Sequence, residues 1–297
     1  SLAEQVLIKN GFDLSNASVN IEAVFSGGPA RDGIPSIDNP QFIAAHQVDF
    51  LRDDDIVIGL VRGKKARAYP TRILVWHEIV NDVINGDAVA VTYCPLCGTA
   101  MVFERNIAKQ LRTFGVSGLL YQSDVLMYDR ESESLWSQLA MQSISGSEVG
   151  ERLTWLPSDY LTWKAWREKY PQGDVLSTET GFNRNYKSKP YSSYFASDKP
   201  MFPVPHTRQE LSDKAWVIGV IIDGQAKAYP INKLSSDNVI VDKLGAKQLT
   251  IKYNVEQKFS QITDEQGEAI PSVLVFWFAW QAFYPKTLLW QASDYKK

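Results

Sequence analysis

The sequence predicts a β-rich α+β protein of two tandem, repeat-related units, each a curved sheet or small barrel covered by a tryptophan-rich helix. Three observations lead there. The stretch from Asp38 to Leu74 aligns without gaps to the stretch from Asp198 to Leu234, with Pro40, Phe42, His46, Ile58-Gly59 and Ala68-Tyr69-Pro70 recurring as Pro200, Phe202, His206, Ile218-Gly219 and Ala228-Tyr229-Pro230. Within each copy an apolar run (DIVIGLV, then WVIGVII) meets a short turn (RGKK, DGQ) and a second run ending in Ala-Tyr-Pro, the pattern of a β-hairpin. Each copy then closes on paired tryptophans, Trp163 with Trp166 and Trp277 with Trp280, ahead of Tyr170-Pro171 and Tyr284-Pro285. Tryptophans at i and i+3 share a helix face, and their expected role is to pack on the sheet of their own unit.

These observations divide the chain into a lead-in with a Gly/Pro loop (1–37), a first unit (38–181), a linker or wrapping arm rich in Ser, Tyr, Lys and Pro (182–197), and a second unit (198–297). The lead-in offers a short helical candidate, LAEQVLIKN, stopped by Gly11. The following FSGGPARDGIPSIDNP precludes regular structure and reads as a clasp. It lacks the P-loop lysine pattern, and Asp32 is its one residue able to reach a site. Arg72 to Asp82 carries Ile73, Trp76, Ile79 and Val80 at helical spacing, a short amphipathic helix or turn.

Composition excludes several classes. Forty-four per cent hydrophobic and 22% charged residues describe an ordinary globular chain, and a net charge of -3 with interspersed signs carries no nucleic-acid footprint. The longest apolar run, Val273 to Trp280, is less than half of what a bilayer requires, so no transmembrane segment is expected, and a signal peptide is expected to be absent or removed before Ser1. Two cysteines exclude a multi-disulfide scaffold. Nine tryptophans and thirteen tyrosines point first to a core built on aromatic packing.

Chemistry concentrates in VAVTYCPLCGTAMVF, Val89 to Phe103, which holds both cysteines. Strand-like flanks place Cys94 and Cys97 on a hairpin turn, with Pro95 setting the turn and Gly98 free to take positive φ. A redox Cys-Pro-x-Cys would instead open a helix, whose N-terminus lowers the first thiol's pKa. The strand context favours metal ligation. A closed zinc site needs a second cysteine pair, and none exists, so the shell must recruit other residues. His77 is the nearest imidazole. Tyr121, Asp124, Met101 and Met127 are further candidates, and Glu78 or Asp129 could act as a base. Asp129 and Arg130 also fit a solvated turn pair. The repeat assigns the chemistry to the first unit, because Asn254 stands at the position of Cys94 and Asp237 at that of His77. His46 and His206 occur in both units, which favours a structural or coincidental explanation.

The pieces GGPARDGIPSID, VIGLVRGKKARAYPTRILVWHEIVND, VAVTYCPLCGTAMVFER, TFGVSGLLYQSDVLMYDRESESLWSQ and FWFAWQAFYP together resemble the bacterial family catalogued as domain of unknown function 3179, from about Phe25 to Trp290. The resemblance implies an exported protein, periplasmic or otherwise extracytoplasmic. It brings no activity to individual residues, although His77, Cys94 and Cys97 fall inside the family's motifs and His46 does not.

Three functions follow as expectations. The leading one is a protein that binds a transition metal, copper or zinc, through Cys94, Cys97 and His77 with a fourth position open; Cys94, Glu78 and Asp129 are its candidate catalytic groups. The second is thiol-disulfide exchange through Cys94 and Cys97. The third is a non-enzymatic ligand-binding or structural module. The expected partner is a metal ion or small molecule, not nucleic acid.

Overall fold

The computed structural model describes residues 7–205 and 208–292. Its sheet arrangement corrects the expectation of two tandem units. The described residues are β-rich, with four α-helices, and five larger sheets form a five-bladed β-propeller.

The first sheet centres on the hairpin Ile56–Arg62 and Lys65–Pro70, extended by Asp159–Thr162, Asp174–Leu176 and Phe42–Ala44. The second joins Ile79–Ile84, Asp87–Cys94, Thr99–Glu104 and Trp155–Leu156. The third carries Val24–Ser26, Phe114–Tyr121, Asp124–Asp129, Leu135–Ser137 and Gln142–Ser145. The fourth is built on Trp216–Ile222 and Gln225–Pro230, flanked by Val273–Phe276 and Leu288–Leu289, and the fifth is Ile240–Leu244, Lys247–Asn254 and Phe259–Thr263.

The repeated hairpins share one register: Ile58 faces Tyr69 and Ile218 faces Tyr229, each hairpin ending on its proline. Each is tied to the sheet that follows it in the chain. Tyr69 donates to Asp82 at 2.5 Å, beside Arg67 at 2.8 Å from the same carboxylate. Tyr229 likewise donates to Asp242 at 2.7 Å, with Lys227 at 2.6 Å.

The paired tryptophans start two of the helices, Trp163–Lys169 and Trp277–Phe283. Trp166 lies on Gly59 and Trp280 on Gly219 so closely that a Cβ on either glycine would fall within about 2.5 Å of the indole. That close approach explains the Ile-Gly pair in both copies. The tryptophans are fully buried packing residues.

The halves do not close on themselves because a small sheet has two faces to bury and its own half supplies cover for only part of them. The largest apolar cluster runs through Met101, Phe103 and Trp136 of the first half and Val217, Trp277 and Trp280 of the second. Backbone bonds also cross the divide: Phe276 N–H donates to the Cys97 carbonyl at 3.0 Å, and Thr162 N–H to that of Gln257 at 2.9 Å.

Two local expectations also change. Within the described part of the lead-in, Ile8–Lys9 pairs antiparallel with Phe12–Asp13 where a helix was expected; residues 2–6 lie outside the described residues, as does His206. The amphipathic segment after Pro70 is a helix only over Thr71–His77, because Glu78 takes φ 62° and ends it, and Ile79–Ile84 continues as a strand.

Candidate functional site

The strand Asp87–Cys94 ends on the first thiol, and Cys94 faces Thr99 across the hairpin, so Pro95 to Gly98 form the turn. Gly98 has φ 73°, and a Cβ there would sit 2.4 Å from the Trp216 indole. Glycine is therefore required twice, by the turn and by the neighbouring sheet. At the corresponding turn of the fifth sheet, Asn254 caps with its side chain, accepting from Gln257 N–H at 3.0 Å. The scaffold is repeated there without the thiols.

A second hairpin completes the site. Phe114–Tyr121 reverses into Asp124–Asp129 through Gln122 and Ser123, both at positive φ (50° and 69°), a two-residue turn made without glycine. The turn delivers Ser123 and Asp124 to the sulfurs. Cys97 Sγ lies 3.4 Å from the Ser123 carbonyl oxygen and Cys94 Sγ 3.9 Å from it. The two sulfurs and an Asp124 carboxylate oxygen all lie within 4.8 Å of one another, fully enclosed.

The polar accounting around these atoms is unusual. One Asp124 oxygen accepts from Leu139 N–H at 2.8 Å, whereas Oδ1 and the Ser123 hydroxyl are buried without a hydrogen-bond partner among the described residues. Burial pushes the Asp124 carboxyl up to about 7 against hydrogen bonds that favour its charged form, and pushes Glu78 up to about 8 with help from Asp124. Burial likewise raises both thiols, Cys97 most. The site thus gathers four acidic groups, and among the described residues no cationic side chain is one of the main influences on them. Such a pocket is stable either fully protonated or around a cation.

His77 stands elsewhere. It ends the Thr71–His77 helix, fully buried, with Nδ1 2.7 Å from the Pro35 carbonyl oxygen and Nε2 2.6 Å from the Tyr186 hydroxyl. A carbonyl only accepts, so Nδ1 carries the proton and Nε2 accepts from Tyr186. Desolvation lowers its pKa, which keeps the ring neutral. With both nitrogens engaged, His77 joins the Gly/Pro loop to the stretch 182–197 and is outside the Cys94, Cys97 and Asp124 group.

Asp129 belongs to a different network. It is fully buried, where a solvated turn was expected, and accepts from Arg112 at 3.1 Å, Trp136 Nε1 at 2.7 Å and Ser132 at 2.7 and 2.8 Å. Arg130 turns instead to Asp38 at 2.7 Å, and Asp32 accepts from Tyr128. Met101 and Met127 are buried in the apolar cluster that contains the sulfurs, and Tyr121 packs edge-on against Phe283.

The cover over the site comes from the stretch expected to be a linker or wrapping arm. The stretch 182–197 contains the helix Ser192–Ala196, where Tyr194 donates its hydroxyl to the Leu96 carbonyl inside the cysteine turn. Lys214 donates to the Tyr194 and Ser197 carbonyls and lies 3.8 Å over the Tyr194 ring, fastening this segment down. Burial pushes the Tyr191 hydroxyl up to about 12, and the neighbouring acids Glu78 and Cys94 add to the shift.

The family described as "Protein of unknown function (DUF3179)" matches residues 31–287. The chain belongs to that family. No curated protein and no solved structure matches it. The matched span contains the cysteine turn, Asp124, Glu78 and the tyrosines that cover them, so the centre of this DUF3179 protein is read from its own geometry.

Proposed function

We propose that this DUF3179 protein binds a transition metal at a centre formed by Cys94, Cys97 and Asp124. The observation that carries the reading is the buried Asp124 Oδ1, unpartnered among the described residues, in a group with two sulfurs. Two thiolates and one carboxylate are three protein ligands with a fourth position left over, the donor count of a catalytic zinc site. Replacing an imidazole by a carboxylate hardens the donor set and moves the preference from copper(I) toward zinc(II). The Ser123 carbonyl, which faces both sulfurs, is a further oxygen beside them.

Glu78 is the neighbouring acid, held neutral near pH 7 by burial and by Asp124. A metal bound beside it would favour the ionised form, and the resulting carboxylate would then be the group to accept a proton from water or substrate. Thiol-disulfide exchange is less well supported, since an attacking thiol needs a depressed pKa and both thiols here are raised.

The test is elemental analysis of purified wild type, of Cys94→Ser/Cys97→Ser and of Asp124→Asn. We expect about one zinc per wild-type chain, none in the double cysteine variant, and an affinity lower by at least about tenfold in Asp124→Asn. Equal and negligible metal in all three, after refolding with excess zinc, would remove the proposal.

A further inference from the structure

We propose that the cleft where four of the five sheets meet the stretch 188–195 binds a flat aromatic molecule carrying an acidic group. The cleft has a volume of about 690 Å³, within the range of small-molecule sites. Tyr160 comes from the first sheet, Tyr93 from the second, Trp216 from the fourth and Tyr253 from the fifth, with Tyr191 and Phe195 closing the outer side. Side chains of four blades therefore converge on one cleft, and most of those named are rings.

The walls suit a planar ligand. Phe195 and Trp216 are near parallel, their planes 17° apart, and Trp216 also packs on Phe276 at 4.0 Å, which fixes one aromatic face. Tyr93, Tyr160 and Tyr191 bring phenol side chains, whose O–H groups can donate or accept, to the lining.

Charge selects the ligand's sign. Of the two carboxylates lining the cleft, Asp55 is buried and neutralised by Arg72, whose Nε lies 2.5 Å from it. Lys258 at the exposed rim has no ion pair among the described residues, and Lys189 reaches Asp55 only at 4.0 Å. Against these two ammonium groups stands one exposed acid, Asp54. An anionic group seated near Lys189 and Lys258 lets the ring system lie between the aromatic walls.

The probe is naphthalene-2-sulfonate, with 2-naphthylmethylammonium and cyclohexanesulfonate as its controls, titrated into the full chain and followed by calorimetry. We expect saturable binding of one sulfonate per chain, at least about tenfold tighter than either control. The Lys189→Glu/Lys258→Glu variant, changed only at exposed positions, should weaken the sulfonate by at least about tenfold. Val255→Trp at the exposed rim should block it. Asp124→Asn should bind the sulfonate as the wild type does, so failure here and failure of the metal centre are read separately. No sulfonate binding up to millimolar concentration, equal binding of the ammonium probe, or binding indifferent to charge reversal would overturn the proposal.

Discussion

Asp124 and Glu78 dominate the residue scale because both are held protonated by burial at a pH where an exposed carboxyl would be charged. Their ordinary values are 3.8 and 4.5, and in the folded chain they rise to about 7 and about 8. A folded-state pKa above the unfolded one means that the folded state holds its proton longer. Stability is therefore full below about pH 4 and is lost as pH rises through about 7 to 8. Metal-stripped protein should melt at a lower temperature at pH 8.5 than at pH 5.5, and Asp124→Asn should flatten that slope. Bound metal should reverse it, because the metal competes with protons for the thiols and the carboxylate. Melting curves with and without chelator across this range check the sign, and a metal-free protein more stable at pH 8.5 would contradict it.

At the scale of the element, two hairpins meet, and only one was legible. The cysteine turn could be read from Pro95, Gly98 and the strand-like flanks, and it forms where expected. The Gln122-Ser123 turn could not, since its positive φ values fall on Gln and Ser and not on the glycine or asparagine that a two-residue hairpin turn favours. In the sequence Asp124 is one of four further candidates, and it is the hairpin that places it against the sulfurs. His77 shows the reverse failure: closeness in sequence suggested a ligand, but the positive φ at Glu78 ends the helix and leaves the ring facing Pro35 and Tyr186. Gly98→Ala tests the cysteine turn directly. A side chain at φ 73°, against Trp216, should cost about 2–3 kcal/mol and lower the metal content in parallel, measured by denaturant unfolding and elemental analysis. A neutral result would show that the turn relaxes freely and that Trp216 does not hold it.

Taken as a whole molecule, the thiol centre is a joint product of both halves. Phe276 bonds the Cys97 carbonyl, Trp216 covers Gly98, and Tyr284 donates to the Leu139 carbonyl next to the amide that holds Asp124. A chain ending at Ser197 should therefore lose cooperative melting, and its thiols should react rapidly with a disulfide reagent, whereas in the full chain both thiols are buried and should react slowly. Near-ultraviolet circular dichroism and timed thiol titration give the readout. A truncated chain with a sharp transition and protected thiols would restore the idea of an independent first unit.

The sequence alone determined the local events whose causes lie within a few residues: the repeated hairpins, the cysteine turn, and the absence of thiols from the second copy. Those features rest on alternation, turn chemistry and spacing, which are written along the chain. Tertiary structure decided what distant segments do to one another: the propeller in place of two units, the placing of Asp124 rather than His77 beside the sulfurs, and the tyrosine cover from 182–197. Apolar faces bury against whatever surface is available and carry no address in the sequence, so partners far apart in the chain become visible only once the blades are assembled.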